Sequence, residues 1–268
     1  MEENVMLDNH YVPEGYGILP NINIFGHNIS TYTLFVGLGL FTGIIWFYLT
    51  VRRKEKLNSE KAYYIVLSAL ICGFIGSKIL VIIENFGIII KNIDNIKSLL
   101  FTGKSIVGGL IGGYIGVKLV KKKLKLENIR TGNQIAPAIA LAMGIGRIGC
   151  FLTGCCYGIE TSLPIGVNFG DGIHRIPTQL IEMIFCFILF GYLLYKQLKD
   201  KNLIPGILFQ KLVLYYFVFR FLIEFIRGTE KNILFLSIYQ VICLIGIIFI
   251  IRKIKKEREL WKIKQTEK

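Results

Sequence analysis

The sequence predicts an all-α integral membrane protein with about seven transmembrane helices and an external N-terminus. Hydrophobic residues make up 53% of the 268 residues, and the mean hydropathy is +0.55. These values are too apolar for an ordinary soluble domain. Long apolar stretches recur along the chain, and basic residues gather between them. Together these features indicate a chain that crosses a bilayer repeatedly.

Seven stretches are apolar enough to be spans, because a helix needs roughly 20 mostly apolar residues to cross the hydrocarbon core. They are residues 31–51, 63–83, 105–120, 131–151, 178–195, 204–226 and 233–251. Residues 87–90 are apolar but too few to span, so we expect a re-entrant or interfacial segment there.

The placement of positive charge predicts the orientation. The net charge of +14 could indicate nucleic acid as a partner, but 23 of the 32 lysines and arginines border the spans. They fall in residues 52–61, 118–130, 196–211 and 252–268. Seven spans place these four segments on one side, which is cytoplasmic by the positive-inside rule. We therefore expect a membrane protein with no nucleic-acid partner.

The chain divides into three parts. Residues 1–30 form an external lead-in, residues 31–251 a seven-span domain, and residues 252–268 a basic cytoplasmic tail that could lie on the membrane as an amphipathic helix. The lead-in contains no lysine or arginine, so we see no cleavable signal peptide in it.

Charged residues inside the spans indicate a functional site. Arg147 ends the fourth span, and an arginine at a helix centre costs roughly 2.5–3.5 kcal/mol, which predicts an anionic partner or ligand. Arg220, Glu224 and Arg227 have i, i+4, i+7 spacing and share a helix face near the same outer level. Several guanidinium groups at headgroup depth suit a phosphate. The alternative is a structural Arg–Glu pair that fixes helix packing.

Three ordered motifs give the chain a resemblance to a known family. They are Gly146-Arg147-Ile148-Gly149, then Pro177-Thr178-Gln179-Leu180-Ile181-Glu182, then Arg220-Phe221-Leu222-Ile223-Glu224-Phe225-Ile226-Arg227. Weaker matches are Tyr32, Gly108-Gly109-Leu110-Ile111-Gly112, Ala136-Pro137 and Gln240. The set resembles the bacterial prolipoprotein diacylglyceryl transferases from about residue 20 to residue 250.

The resemblance implies lipoprotein maturation at the outer leaflet of the bacterial cytoplasmic membrane. The diacylglyceryl group of phosphatidylglycerol, or of a related anionic phospholipid, would move to the lipobox cysteine thiol of a prolipoprotein signal peptide. A thioether would form and glycerol phosphate would leave. We expect no cofactor and no metal ion.

The resemblance also implies roles for individual residues. Arg147 and Arg220 would contact the headgroup phosphate, Glu224 would orient Arg220, and Tyr32 and Arg227 would line the site. With Cys155 added as a candidate thiolate, the catalytic candidates are Arg147, Arg220, Glu224 and Cys155. The substrate-binding candidates are Tyr32, Gly108, Gly109, Gly146, Gly149, Cys150, Gln179, Glu182 and Arg227.

The sequence departs from the family's pattern at three positions. Cys150 and Cys155 stand where the family's signature has an Asn and a Glu. Val107 stands where the family has a His that is a proposed base for the acceptor thiol. The general base is therefore open, with His174 in the connection after the fourth span as one substitute.

The cluster of Cys150, Cys155 and Cys156 has four interpretations. The thiols could pack, could form a disulfide on the oxidising side of the membrane, or could bind a metal with an incomplete ligand set. One of them could also be a catalytic thiolate, because Arg147 favours the anion.

Three other functions fit the same sequence less well. One is a lipid transferase of the same fold with a different acceptor that uses the cysteine cluster. Another is a non-catalytic lipid-binding or transport protein. The third is a membrane thiol oxidoreductase, for which the sequence offers no quinone or flavin motif.

The predicted orientation can be tested by cysteine labelling. Single cysteines introduced near Arg53, Lys122, Lys199, Lys256 and Gly158, in a chain without native cysteines, should differ in reactivity. In intact cells an impermeant thiol reagent should modify only the site near Gly158, because the other four lie in the basic segments. Modification of the site near Lys122 would contradict the orientation.

Overall fold

The computed structural model describes residues 16–51, 59–91, 104–126, 131–200, 202–229 and 235–266. Within these residues the helices are α1 Thr31–Trp46, α2 Ser59–Glu84, α3 Phe86–Lys91, α4 Ile106–Lys123, α5 Gly132–Thr153, α6 Thr178–Lys199, α7 Ile207–Ile223 and α8 Ile238–Thr266. The strands are β1 Asn21–Ile24, β2 His27–Ser30, β3 Val167–Asn168 and β4 His174–Arg175. A π-helical turn, Phe47–Val51, continues α1, and a 3₁₀ turn, Glu224–Ile226, continues α7.

The predicted all-α membrane class is confirmed. Four segments are long and apolar enough to cross a bilayer, namely Thr31–Thr50, Ser59–Glu84, Gly132–Thr153 and Thr178–Lys199. Helices α4, α7 and α8 coincide with the third, sixth and seventh predicted spans. The six-residue helix α3 covers the short apolar segment at residues 87–90.

Two regions differ from the expectation. One helix, α8, begins at Ile238 rather than at residue 233, and it continues through the basic tail to Thr266. No Gly or Pro follows Gly246, and Lys, Arg and Glu are good helix formers, so nothing in the sequence ends the helix near residue 252. The described part of the lead-in forms the antiparallel hairpin β1–β2, while residues 1–15 lie outside the described residues.

The bundle buries several charged side chains and exposes many apolar ones, as a lipid solvent requires. Arg147, Glu182, Arg220 and Glu224 are all buried. Large apolar side chains such as Ile188, at 67% exposure, face outward from the helices. Charged groups inside a membrane protein turn toward the bundle interior because lipid cannot solvate them.

Helix α5 organises the packing, since it contacts α1, α6 and α7, while α7 also packs against α8. Gly149 lets α1 approach α5, because an added Cβ would lie 2.8 Å from the Cβ of Phe35. Helices α2 and α4 form a separate close pair through glycines, and an added Cβ at Gly112 would overlap the carbonyl oxygen of Cys72. Small residues of this kind let membrane helices pack backbone to backbone.

The α2–α4 contact predicts opposite effects for two Gly→Ala changes. Gly112→Ala should cost roughly 1–3 kcal/mol of folding free energy, because the helices must separate to admit the methyl group. Gly191→Ala is the control: its Cβ would meet nothing within 4 Å, so it should stabilise α6 by up to about 1 kcal/mol. Thermal unfolding in detergent measures both. Equal melting temperatures for the two variants would contradict the packing.

Candidate active site

The first element of the site is a buried ion pair between two helices. Arg147 projects from α5, and its Nη2 lies 2.8 Å from Oε2 of Glu182 on α6. The hydroxyl of Tyr216 on α7 donates to the other carboxylate oxygen, Oε1, at 2.8 Å. Glu182 is fully buried, so both its oxygens are used within the protein. Three helices are therefore tied together at the depth of Arg147.

The second element is a carboxylate shared by two arginines. Glu224 Oε2 lies 2.9 Å from Arg220 Nη2 and 3.9 Å from Arg227 Nε. The hydroxyls of Thr229 and Ser237 both donate to Glu224 Oε1, at 2.6 and 3.1 Å. The carboxylate is thereby fixed in place, and it carries one negative charge against two guanidinium groups. The cluster is net positive.

The Arg220 guanidinium has a further support on the opposite helix. Its Cζ lies 4.9 Å from the ring centroid of Tyr239 on α8. Gln240, a weak motif match, accepts a hydrogen bond from the backbone N–H of Ser237 at 2.9 Å and donates to the carbonyl of Phe221 at 3.3 Å. This arrangement joins the start of α8 to the end of α7, where Arg220 is carried.

A cavity of about 1050 Å³ lies in front of these arginines. It runs the length of α4, from Lys104 and Ser105 before the helix to Lys121 and Lys122 in its last turn. Its walls are mostly apolar side chains of α1, α2, α4 and α5. A long apolar slot with cations at its end has the form required by an anionic amphiphile.

The predicted site residues divide by their position around this cavity. Those that line it are Tyr32, Gly109, Gly146, Arg147, Cys150 and Arg220. The others lie behind them: Gly108 packs against α2, Gly149 against α1, and Cys155, Gln179, Glu182, Glu224 and Arg227 are buried in the surrounding structure. The structure thus separates groups that face a ligand from groups that hold them.

The cysteines occupy the turn that ends α5. Gly154 has φ 78° and Cys156 has φ 60°, so two residues of this turn adopt left-handed conformations. Gln179 donates to the carbonyl of Cys155 and Thr178 to that of Cys156, both at 2.7 Å. The family-like Thr-Gln pair at the start of α6 therefore anchors the cysteine turn.

The three thiols converge within this turn. These three cysteines form no disulfide with one another, and their sulfur atoms all lie within 4.8 Å of one another. Arg147 Nη1 donates to the sulfur of Cys150 at 3.6 Å. Hydrogen bonds with Cys150 and Cys156, together with burial, raise the pKa of the Cys155 thiol, so without a further cation Cys155 is neutral near pH 7.

The connection between α5 and α6 joins this turn to the second arginine cluster. The segment after the cysteines pairs with Arg175 through Glu160 and with Arg227 through Gly158. An added Cβ at Gly158 would lie 2.5 Å from the carbonyl oxygen of Ile226, so only glycine fits this crossing. In the same connection, the hydrogen bond that Arg175 donates to the Asp171 carboxylate holds the pKa of Asp171 below its usual value.

The two positions considered for a thiol base lie apart. Val107 lines the cavity and is buried, so the position of the family's base does face the site. His174 is exposed on β4, and it is not among the residues that line the cavity.

Sequence reasoning did not single out Tyr216 and Lys104, which also line the cavity. Tyr216 precedes Arg220 by four residues, so helical spacing alone places it on the arginine face. Lys104 lies just before α4, with Nζ 4.9 Å from the ring centroid of Tyr32, a contact that required the tertiary structure.

Buried guanidinium groups beside a long apolar cavity define a class: a helical membrane protein with an internal cavity suited to an anionic amphiphile. Comparison with known proteins specifies the class further. A family model described as prolipoprotein diacylglyceryl transferase matches residues 20–254. The chain belongs to this family.

Individual relatives agree with the family match. The chain is 38% identical over 233 residues to the phosphatidylglycerol–prolipoprotein diacylglyceryl transferase of Clostridium tetani, covering 84% of this chain and 92% of the relative. It is 34% identical to transferase 2 of that name from Clostridium perfringens, covering 88% and 96%. The Finegoldia magna transferase is 28% identical, covering 92% and 98%.

The Arg147–Glu182 pair predicts a large stability effect. Glu182→Gln leaves a buried guanidinium without a counter-charge, which should cost about 3–5 kcal/mol. The double variant Arg147→Met/Glu182→Gln should recover much of this loss, because no charge remains unpaired. Glu160→Gln, on the exposed connection, is the control and should unfold like wild type. Thermal unfolding in detergent measures all four proteins, and a double variant no more stable than Glu182→Gln would contradict the pairing.

Proposed function

We propose that this chain transfers the diacylglyceryl group of phosphatidylglycerol to the lipobox cysteine of prolipoproteins. The observation that carries the proposal is the junction of Arg147 and Arg220 with one apolar cavity. A phospholipid needs both parts of this site, a cationic group for its phosphate and an apolar slot for its acyl chains. The relatives' printed names support the same donor and acceptor.

The chemistry requires stabilisation of negative charge on the phosphate as glycerol phosphate leaves. Guanidinium groups held in place before the reaction can donate two hydrogen bonds to the departing phosphate as its charge develops. Arg147 and Arg220 supply these donors, and their carboxylate partners Glu182 and Glu224 fix their positions. Arg227 adds positive charge from behind Arg220, and Tyr32 borders the lipid.

The membrane setting follows from the charge pattern. The basic segments between spans support a cytoplasmic side at the α4 C-terminus, which would put the cysteine turn and the arginines toward the outer leaflet. We therefore propose a multi-pass protein of the bacterial cytoplasmic membrane whose active site faces outward. A prolipoprotein signal peptide would approach from the bilayer beside the external connection.

Arg→Lys changes test the phosphate role. Arg147→Lys and Arg220→Lys keep the charge but lose the bidentate geometry, so each should reduce transfer about 10²–10³-fold. Arg252→Lys, at an exposed position of α8, is the control and should transfer at the wild-type rate. The assay measures transfer from phosphatidylglycerol to a lipobox peptide in detergent.

The same assay separates the other functions. Wild-type rates in both lysine variants would contradict the phosphate assignment. Binding of phosphatidylglycerol by wild-type protein without any transfer to the peptide would favour a lipid-binding protein over a transferase.

A further inference from the structure

We propose that Cys150, Cys155 and Cys156 bind a zinc ion whose open fourth position takes the acceptor thiol as a thiolate. This inference rests on the proposed transfer function, and it departs from the sequence-based expectation that no metal takes part. One site would then explain both the presence of the cysteine turn and the absence of a histidine base at position 107.

The distances between the sulfur atoms suit a shared metal ion. The three sulfurs lie within 4.8 Å of one another. Sulfurs bound to one zinc ion at about 2.3 Å lie about 3.8 Å apart, so the ligands need to close by about 1 Å at most. A disulfide would require two of them to approach to about 2.05 Å and would leave the third thiol without a role.

The protein holds the three ligands in place before any metal arrives. Gln179 and Thr178 anchor the carbonyls of Cys155 and Cys156, and the left-handed conformations of this turn direct three nearby side chains to one point. Cys156 has no glycine-like freedom, so its φ of 60° is an unfavourable conformation held by the surrounding structure. Supports of this kind around ligating residues are typical of metal sites.

The open position faces the proposed lipid site. Cys150 and Cys156 line the cavity together with Arg147, whereas Cys155 is buried behind them. A catalytic zinc site has three protein ligands and leaves the fourth position for water or substrate. Here the fourth ligand would enter from the cavity, on the side of the phosphate-binding arginines.

The local charge suits such a site. Zinc with three thiolates carries a net charge of −1, and a fourth thiolate makes it −2. Arg147 Nη1 lies 3.6 Å from the sulfur of Cys150, and Lys104 stands over Tyr32, which belongs to the packed cluster that contains the cysteines. These two cations offset the anionic complex at the outer end of the cavity.

The metal supplies what the missing histidine would otherwise supply. A thiol that coordinates zinc loses its proton, which passes to water, so no side-chain base is needed at Val107. A lone pair of the bound sulfur then forms the C–S bond to the glyceryl carbon that carries the phosphate ester. The C–O bond breaks, and its electron pair leaves on the phosphate of glycerol phosphate. The product thioether is neutral and dissociates from the zinc ion, which stays bound to the three cysteines.

Metal content and cobalt spectroscopy test the site directly. Full-length protein in phosphatidylglycerol-containing nanodiscs, kept reduced, should bind one zinc per chain. Cobalt substitution should give sulfur-to-cobalt charge-transfer absorption, which should strengthen when a lipobox cysteine peptide is added but not when its serine analogue is added. Cys155→Ser and Cys156→Ser should lose the metal. Cys186→Ser, a buried cysteine elsewhere in the bundle, should keep it.

A measurement of transfer activity on wild-type protein completes the test, because it does not depend on whether the cysteine variants fold. Removal of zinc from wild-type protein by a chelator should lower transfer about 10-fold or more, and added zinc should restore it. Active protein that contains no metal, or a Cys150–Cys155 or Cys150–Cys156 disulfide in active protein, would overturn the proposal.

The Arg220→Lys variant separates this proposal from the transfer function. This variant should lose transfer activity, but it should keep the cobalt spectrum and the change in that spectrum on peptide binding. The reason is that Arg220 is not a ligand of the metal. Zinc-loaded wild-type protein that shows the peptide response but transfers nothing from phosphatidylglycerol would refute the transfer function while the metal site stands. Unchanged transfer by protein that contains no metal would refute the zinc site and leave the transfer function standing.

Discussion

The constraint that shapes this protein is that guanidinium groups must be held inside a bundle that lipid surrounds. Each buried arginine needs a counter-charge, and Glu182 and Glu224 provide two. A buried pair of this kind adds little net stability, because desolvation offsets most of the attraction, but loss of either partner is costly. The pairs therefore act mainly to fix geometry: they decide which helices meet at the level of Arg147 and how each arginine presents its remaining donors to the cavity.

The fold meets this constraint by linking the residues that hold the arginines to the residues that hold the cysteine turn. The start of α6 carries Glu182 toward Arg147 and, one turn earlier, carries Gln179 and Thr178 toward the cysteine turn. The connection between α5 and α6 pairs with Arg227, which follows α7, through Gly158. These contacts join the buried arginines and the thiol cluster into one structural unit.

Hydropathy was sufficient to predict the helices, because the bilayer imposes a length and a composition that a single sequence displays directly. The i, i+4 pair of Arg220 and Glu224 was also predictable, since both lie on one helix face. The pairing of Arg147 with Glu182 was not, because these residues lie on different helices and spacing says nothing about which helices meet. Likewise the small hairpins and the contact of Lys104 with Tyr32 depend on tertiary packing, and the continuous α8 shows that charge alone does not end a helix.

The length of α8 has a mechanical consequence. Its 29 residues make a rod of about 43 Å, well beyond the roughly 30 Å of the hydrocarbon core. Gly246 seats this rod against the ring of Phe217, and Glu257 accepts a hydrogen bond from Gln210, so α7 cannot slide along it. The basic C-terminal part of α8 is therefore long enough to extend past the hydrocarbon core, and the packing of α8 against α7 fixes the distance along the bundle between this basic part and Arg220.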